Sequence, residues 1–497
     1  MKGLYILLSV MVMCWSCDSF LNVDSQDEVI PETTQAFSEL LWGEGYPQEG
    51  ELMDAIVSYL GDELTGRAPM EHSESALLYR GFYQWQPAAF ELALEQEDAV
   101  GYSQTDGMNC WEAYYKRILG CNIALAYGDE SDGTEEEKAR LKGEAHVLRA
   151  YYYFQLVNYY GWPYNDHETD PSENPGVPLI LEPDLVEERT ARHSVKEVYE
   201  QIEKDLKAGI ELLEREGRVR TVYRMNYLAA HLLASRVYLY MENWEEAVKH
   251  ARVVMENATL ADLTGELPTT LQLERGNEEI LWMYGASRNW YSLGGDANDS
   301  YIPSEELSNL FVLEEPLQDR RLVYCFDSIT NGLDGSYAGL KVAKWNRYNS
   351  SFGQAFRSAE AWLNASEALL EQYKEGDQAA GTEGLALLNT LRAKRIFAGE
   401  GNVLDAIPMQ DADVLLQLCR EERQRELCFE GQRWFDLRRY GMPRVEKVWC
   451  VNEQQNERYA LEARDQMYVL SIPSEAMDRN DKLVQNPGAS QGTRMPL

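Results

Sequence analysis

Basic residues are scarce in this 497-residue chain: 46 lysines and arginines face 83 aspartates and glutamates, a formal net charge of −37. No nucleic-acid partner is therefore expected, because phosphate binding needs a basic surface. An anionic membrane face is disfavoured for the same reason. Histidine is scarcer still. His72, His146, His167, His193, His231 and His250 show no metal-ligand spacing. Eight cysteines are present, and the six of the body (Cys110, Cys121, Cys325, Cys419, Cys428, Cys450) form no CxxC pair and no zinc-like pattern. They read as small buried apolar groups. No GxSxG, HExxH, phosphate-binding loop or GxGxxG stands in a matching context. Neither a cofactor nor a metal is expected; Asp296, Asn298 and Asp299 gather oxygen ligands but complete no calcium loop.

Long apolar runs are also missing. The longest, Leu4 to Met13, has ten residues after Lys2, too few to span a bilayer and suited to a secretory signal. It ends in Cys14-Trp15-Ser16-Cys17. A cysteine after a small residue at that point resembles a bacterial lipoprotein signal, with Cys17 as the lipidated first residue and any membrane link made by lipid. The other reading is an ordinary secretory signal with an incidental cysteine.

What is abundant is aromatic: 30 Tyr and 12 Trp. Such residues fill cores, and they also form sugar- or peptide-binding surfaces. The mean hydropathy of −0.46 suits a soluble globular body. Helical periodicity dominates. Leu141, Ala145, Leu148, Tyr152, Leu156 and Tyr159 recur at helical spacing. Ser194 stands three residues before Glu197, a capping box opening the next helix. Residues 225–257 read as a helix pair turning at 241–244, in the manner of a tetratricopeptide hairpin, with Tyr240, Trp244 and Ala247 at the close crossing. Residues 357–376 and 380–396 read as a second pair, and 138–160 with 195–216 as a third. The spacing predicts further helices at 33–42, 51–64 and 109–127, with 65–108 irregular. The expected fold is mainly α: tetratricopeptide-like hairpins form a scaffold, and long irregular loops with a few short strands carry the binding surface. The division is 1–16 signal, 17–260 N-terminal repeat region and 261–497 C-terminal region with aromatic loops.

Residues 411–443 read as one amphipathic helix stopped by Gly441 and Pro443. Its charges fall three apart, as in Glu422 with Arg425, Glu430 with Arg433 and Asp436 with Arg439, threaded with Leu427, Phe429, Trp434, Phe435 and Leu437. That pattern describes a strut sunk into a core with its charges paired, rather than a catalytic centre. Residues 260–356 have loop composition and many aromatics. Within them, Trp290 and Tyr291 lie beside Arg288, Asn289, Asp296 and Asn298. Aromatic faces stack on sugar C–H groups while amides and charges satisfy hydroxyls, so these six are the candidate ligand-binding residues. The competing reading has Trp290 plugging the loop onto the helical body.

Five segments resemble, in order, the SusD/RagB family of nutrient-binding outer-membrane lipoproteins of Bacteroidetes-type bacteria. They are Cys17-Asp-Ser-Phe-Leu-Asn-Val, LKGEAHVLRAYYYFQLVNYYG (141–161), GNEEILW (276–282), ELCFEGQRWFDLRRYG, and IPSEAMDRNDKLVQNPG (472–488). Asp481 replaces a usual proline and Ala489 a frequent tyrosine. The resemblance implies a lipid-anchored, surface-exposed protein of the outer membrane. It would sit as a lid on a SusC-like TonB-dependent transporter, deliver oligosaccharide or peptide to it, and perform no bond chemistry. The alternatives are a peptide-binding member of the same family, a surface glycosidase, whose carboxylate pair no spacing identifies in so acidic a chain, or a helical-repeat scaffold that binds only protein.

Overall fold

A computed structural model describes residues 31–497 except 68–69, 101–106, 184–188, 266–272, 275, 287–299, 331–336, 345–351 and 453. Helix Glu135–Tyr160 is its centre. A capping box of Thr134 and Glu137 starts it, and every residue from Val147 to Tyr160 is buried. A helix apolar on all sides must be covered on all sides. Helices Cys110–Tyr127 and Val195–Glu214 pack against it, the second opened by the expected Ser194–Glu197 box. Tyr227–Tyr240 and Trp244–Asn257 form the next hairpin, and Ala359–Lys374 with Gln378–Ala393 another. Tyr240 and Ala247 are buried at the first of these turns. Trp244 stays partly exposed and donates its indole N–H to Glu375 (3.3 Å), tying one hairpin to the other. Trp244–Asn257 also packs on Ala359–Lys374, so the core runs continuously past residue 260.

Several expectations change. Residues 65–108 hold two helices, Glu74–Tyr83 and Ala89–Val100. Gly81 is no breaker: a Cβ there would lie 2.8 Å from the Ala89 Cα, so glycine permits the close approach of these helices. Residues 51–64 contain only one helical turn, Val57–Leu60, before strand Leu64–Gly66. The stretch 260–356 is not simply loop. Strand Ile280–Ala286 pairs antiparallel with Phe352–Arg357, Tyr301–Pro303 with Leu64–Gly66, and Phe326–Thr330 with Tyr337–Val342. Trp282 and Tyr284 are therefore core: Tyr151 meets both rings edge-on at 5.6 and 5.7 Å.

The 411–443 strut is two helices, Ala412–Leu427 and Arg433–Arg439. It breaks where Phe429 (φ 61°) and Gly431 (φ 78°) turn left-handed. Tertiary contacts supply the cause. The Phe429 N–H donates to the buried Glu63 carboxylate (3.1 and 3.2 Å), and its ring is fully buried. Glu430 turns to Arg357 (2.6 Å) and Lys344 (2.5 Å) instead of Arg433. Arg433 takes Asp62 (2.7 Å). The Glu422–Arg425 (2.6 Å) and Asp436–Arg439 (2.9 Å) pairs form as expected. The six body cysteines are free. Among the described residues no helix is long and apolar enough to cross a membrane.

Candidate functional site

Cys17 and all six candidate ligand residues (Arg288, Asn289, Trp290, Tyr291, Asp296, Asn298) lie outside the described residues. The structure does describe the frame from which segment 287–299 departs. On one side Ala286 pairs with Phe352, donates its N–H to the Glu51 carbonyl (2.7 Å) and accepts from Gln354 (3.1 Å). On the other, Tyr301 pairs with Gly66 and donates its hydroxyl to the Ala76 carbonyl (2.8 Å). Segment 345–351 ends at Phe352, and segment 101–106 ends at Gly107, whose carbonyl accepts from Ala55 (3.0 Å). Gly107 (φ +81°) is held against the Leu52 carbonyl so closely that a Cβ would collide with it. Residues 51–55 thus touch the roots of two segments, and strand pairing adds a third.

Aromatic side chains gather at this root. Trp42, Tyr223 and Phe352 are half-buried, with Phe352 6.2 Å from Trp42 and 5.1 Å from Tyr223 between ring centroids. The Arg224 guanidinium stands 5.0 Å over the Trp42 ring, a cation–π contact. Glu51 and Arg117 form an ion pair nearby. Partly exposed rings beside charged groups can stack on a sugar face and satisfy its hydroxyls. Sequence reasoning did not single out these three rings. They come from positions far apart in the chain, and only tertiary packing, with the pairing of the Phe352 strand, brings them together.

A second hollow of about 390 Å³ is lined by Trp111 and Tyr115 with Asn109, Lys116, Arg479 and Asn480. Its polar rim is largely spent internally: Asn109 caps its helix, Arg479 pairs with Glu475, and Asn480 donates to the Thr190 carbonyl (2.9 Å). Trp111 packs edge-on against Tyr160 at 5.0 Å and is 9 % exposed. Little of the Trp111 ring therefore remains to meet a ligand.

The acidic residues of the strut have a different role. Glu279, Asp319, Glu422, Glu426 and Glu430 are interlocked with Arg321, Lys344, Arg357, Arg395 and Arg425 at 2.5–3.1 Å. Five carboxylates balance five cations. Burial alone would raise the Glu430 pKa; Arg357 and Lys344 outweigh it and hold the group below its ordinary value. Groups so paired and so removed from water perturb one another without acting on a substrate.

Comparison with known proteins agrees with this architecture. A family model described as starch-binding, associating with the outer membrane, matches residues 50–239, and a SusD family model matches residues 335–488. The chain belongs to the SusD/RagB family. The role of that family is carbohydrate binding at the cell surface, in association with the outer membrane. SusD-like protein P2 of Formosa agariphila is 26% identical over 427 residues, covering 76% of this chain and 80% of that one. A putative sugar binding protein from Bacteroides vulgatus shares the fold with a TM-score of 0.71 at 23% identity, covering 93% of this chain and all (100%) of that one. A SusD superfamily protein from Bacteroides thetaiotaomicron gives a TM-score of 0.68 at 20% identity, over 92% and 100% of the two chains. The mainly helical, tetratricopeptide-like scaffold expected from the hairpins is the SusD fold.

Proposed function

We propose that this SusD-family chain captures oligosaccharide at the cell surface and passes it to a SusC-like TonB-dependent outer-membrane transporter, without making or breaking bonds. Cys17 is the lipid anchor that holds it on the outer membrane. The observation that carries the reading is the pair of family matches flanking the central stretch, at 50–239 and 335–488. Between them lies the candidate segment, with Trp290 and Tyr291 as stacking platforms and Arg288, Asn289, Asp296 and Asn298 as hydroxyl partners. The half-buried rings of Trp42, Tyr223 and Phe352 at its root favour a saccharide, because aromatic faces suit sugar C–H groups.

Calorimetry against panels of glycans and peptides tests this. Saturable glycan binding without turnover is expected. Trp290→Ala should weaken it about tenfold, or ~1.4 kcal/mol, while the melting temperature stays within about 1 °C of the parent. Turnover by the purified protein would overturn the non-catalytic reading. Binding of peptides alone would move the ligand to the peptide class. A large melting loss in Trp290→Ala would place that ring in the core.

A further inference from the structure

One hollow runs against the charge of the whole molecule. It holds about 210 Å³, near the size of a single sugar ring rather than a chain, and is lined by Arg140, Arg218, Arg220 and Arg224 together with Glu144 and Glu216, while Glu137 outside the lining acts on Arg140 and Arg220. Four guanidiniums in one place are unexpected in a chain with a net charge of −37. Their assembly is built by the fold. Helix Val195–Glu214 is followed by Gly217, whose positive φ (+60°) turns the chain back on itself. The returning residues 218–224 then lie across Arg140 and Glu144 of the central helix.

The carboxylates do not neutralise the site. Glu216 is shared between Arg218 (3.2 Å) and Arg220. Burial opposes its ionisation, but hydrogen bonds from those two arginines outweigh burial and lower its pKa. Glu144 accepts from Arg224 (3.0 Å) and from the Tyr46 hydroxyl (2.8 Å), and burial pushes its pKa up. The Arg140 side chain is half-buried; its charge acts on Glu137, Glu144 and Glu216, but its guanidinium makes no hydrogen bond or close ion pair with a described residue. Its fork of donors is available to a ligand. The site is also continuous with the aromatic root. Arg224 lines the hollow and stacks over Trp42, and Tyr223 precedes it against Phe352.

We infer that this hollow is an anion subsite that receives the carboxylate or sulfate ester of an acidic saccharide whose neighbouring ring lies on the Trp42–Tyr223–Phe352 cluster. Guanidinium forks match both oxyanions in charge and geometry. The inference rests on the saccharide-binding reading and narrows its ligand class.

The test uses the mature protein, Arg140→Gln and Arg220→Gln, and four probes in calorimetry. The probes are a galacturonate disaccharide, its methyl ester, a sulfated galactan disaccharide and its desulfated form. The expected result is binding of one or both charged probes, weakened at least tenfold by neutralising that probe and by either substitution. Salt should weaken it further. Preference for the uronate or the sulfate arm identifies the anion. Both side chains reach solvent, so melting curves should match the parent. Equal binding of charged and neutral probes, or affinity for a charged probe untouched by both substitutions, overturns the subsite. So does binding of neutral glycans alone, which leaves the saccharide reading standing. If no glycan of any kind binds, both fall together.

Discussion

Replacing Glu426 by glutamine removes one charge from the middle of the buried network without removing volume. Glu426 is 1 % exposed and accepts from Arg395 (2.9 and 3.1 Å), Arg357 (3.0 Å) and Arg321 (3.1 Å). Each of these arginines keeps another carboxylate: Glu279 for Arg395 (2.6 Å), Glu279 and Glu430 for Arg357 (2.7 and 2.6 Å), and Asp319 and Glu422 for Arg321 (2.6 and 2.7 Å). The five-to-five balance is nevertheless broken, and the new amide NH₂ points donors at donors. Breaking a buried pair from one side costs about 3–5 kcal/mol, and that is the loss expected in denaturant unfolding at pH 7. Glu421→Gln is the control. Its carboxylate is partly exposed and meets Arg425 only at 4.0 Å, so less than about 0.5 kcal/mol is expected. The pH dependence has a defined sign. Burial alone would raise the Glu426 pKa, but Arg395, Arg357 and Arg321 hold it well below the ordinary value. Its contribution is present above the unfolded carboxylate pKa of about 4.3 and is lost as pH falls through the folded one. The deficit of Glu426→Gln should therefore be full at pH 7 and shrink in acid. A loss below about 1 kcal/mol at pH 7, or a deficit that grows in acid, refutes the balanced-network argument.

Glu63 should behave in the opposite way. Burial, with Asp62 beside it, pushes its pKa up to about 8, so its stabilisation is full below the unfolded carboxylate pKa and is lost as pH rises through about 8. Glu63→Gln keeps an acceptor for the Phe429 N–H and should gain in melting temperature relative to the parent between pH 5 and pH 9; a constant difference would show that Glu63 does not take up a proton on folding. Cys17→Ala should move the protein from the outer-membrane fraction to the soluble one and abolish incorporation of a labelled fatty acid, and retention with label would place the lipid elsewhere.

Much of the scaffold is determined by local sequence. The hairpins at 227–257 and 359–393 and the Ser194 cap were legible because each depends on neighbours within a few turns. A 3.6-residue period and a capping side chain act over that range. The charge pairs Glu422–Arg425 and Asp436–Arg439 were legible for the same reason. Long-range contacts decided the rest. The strut breaks at Phe429 because Glu63, more than three hundred residues earlier, takes its N–H, and because Arg357 and Lys344 draw in Glu430. Local pairing would have continued one helix through that point. Trp282 and Tyr284 had the composition of a binding loop and became core once Ile280–Ala286 paired with Phe352–Arg357. The same pairing put Phe352 beside Trp42 and Tyr223 and created an aromatic root that no linear window contains. By itself the sequence determined a helical-repeat body with paired charges, because those interactions are local. The tertiary structure decided which charges meet, which rings stay partly exposed, and where four arginines converge on an acidic protein, because strand pairing and packing alone bring distant residues into contact.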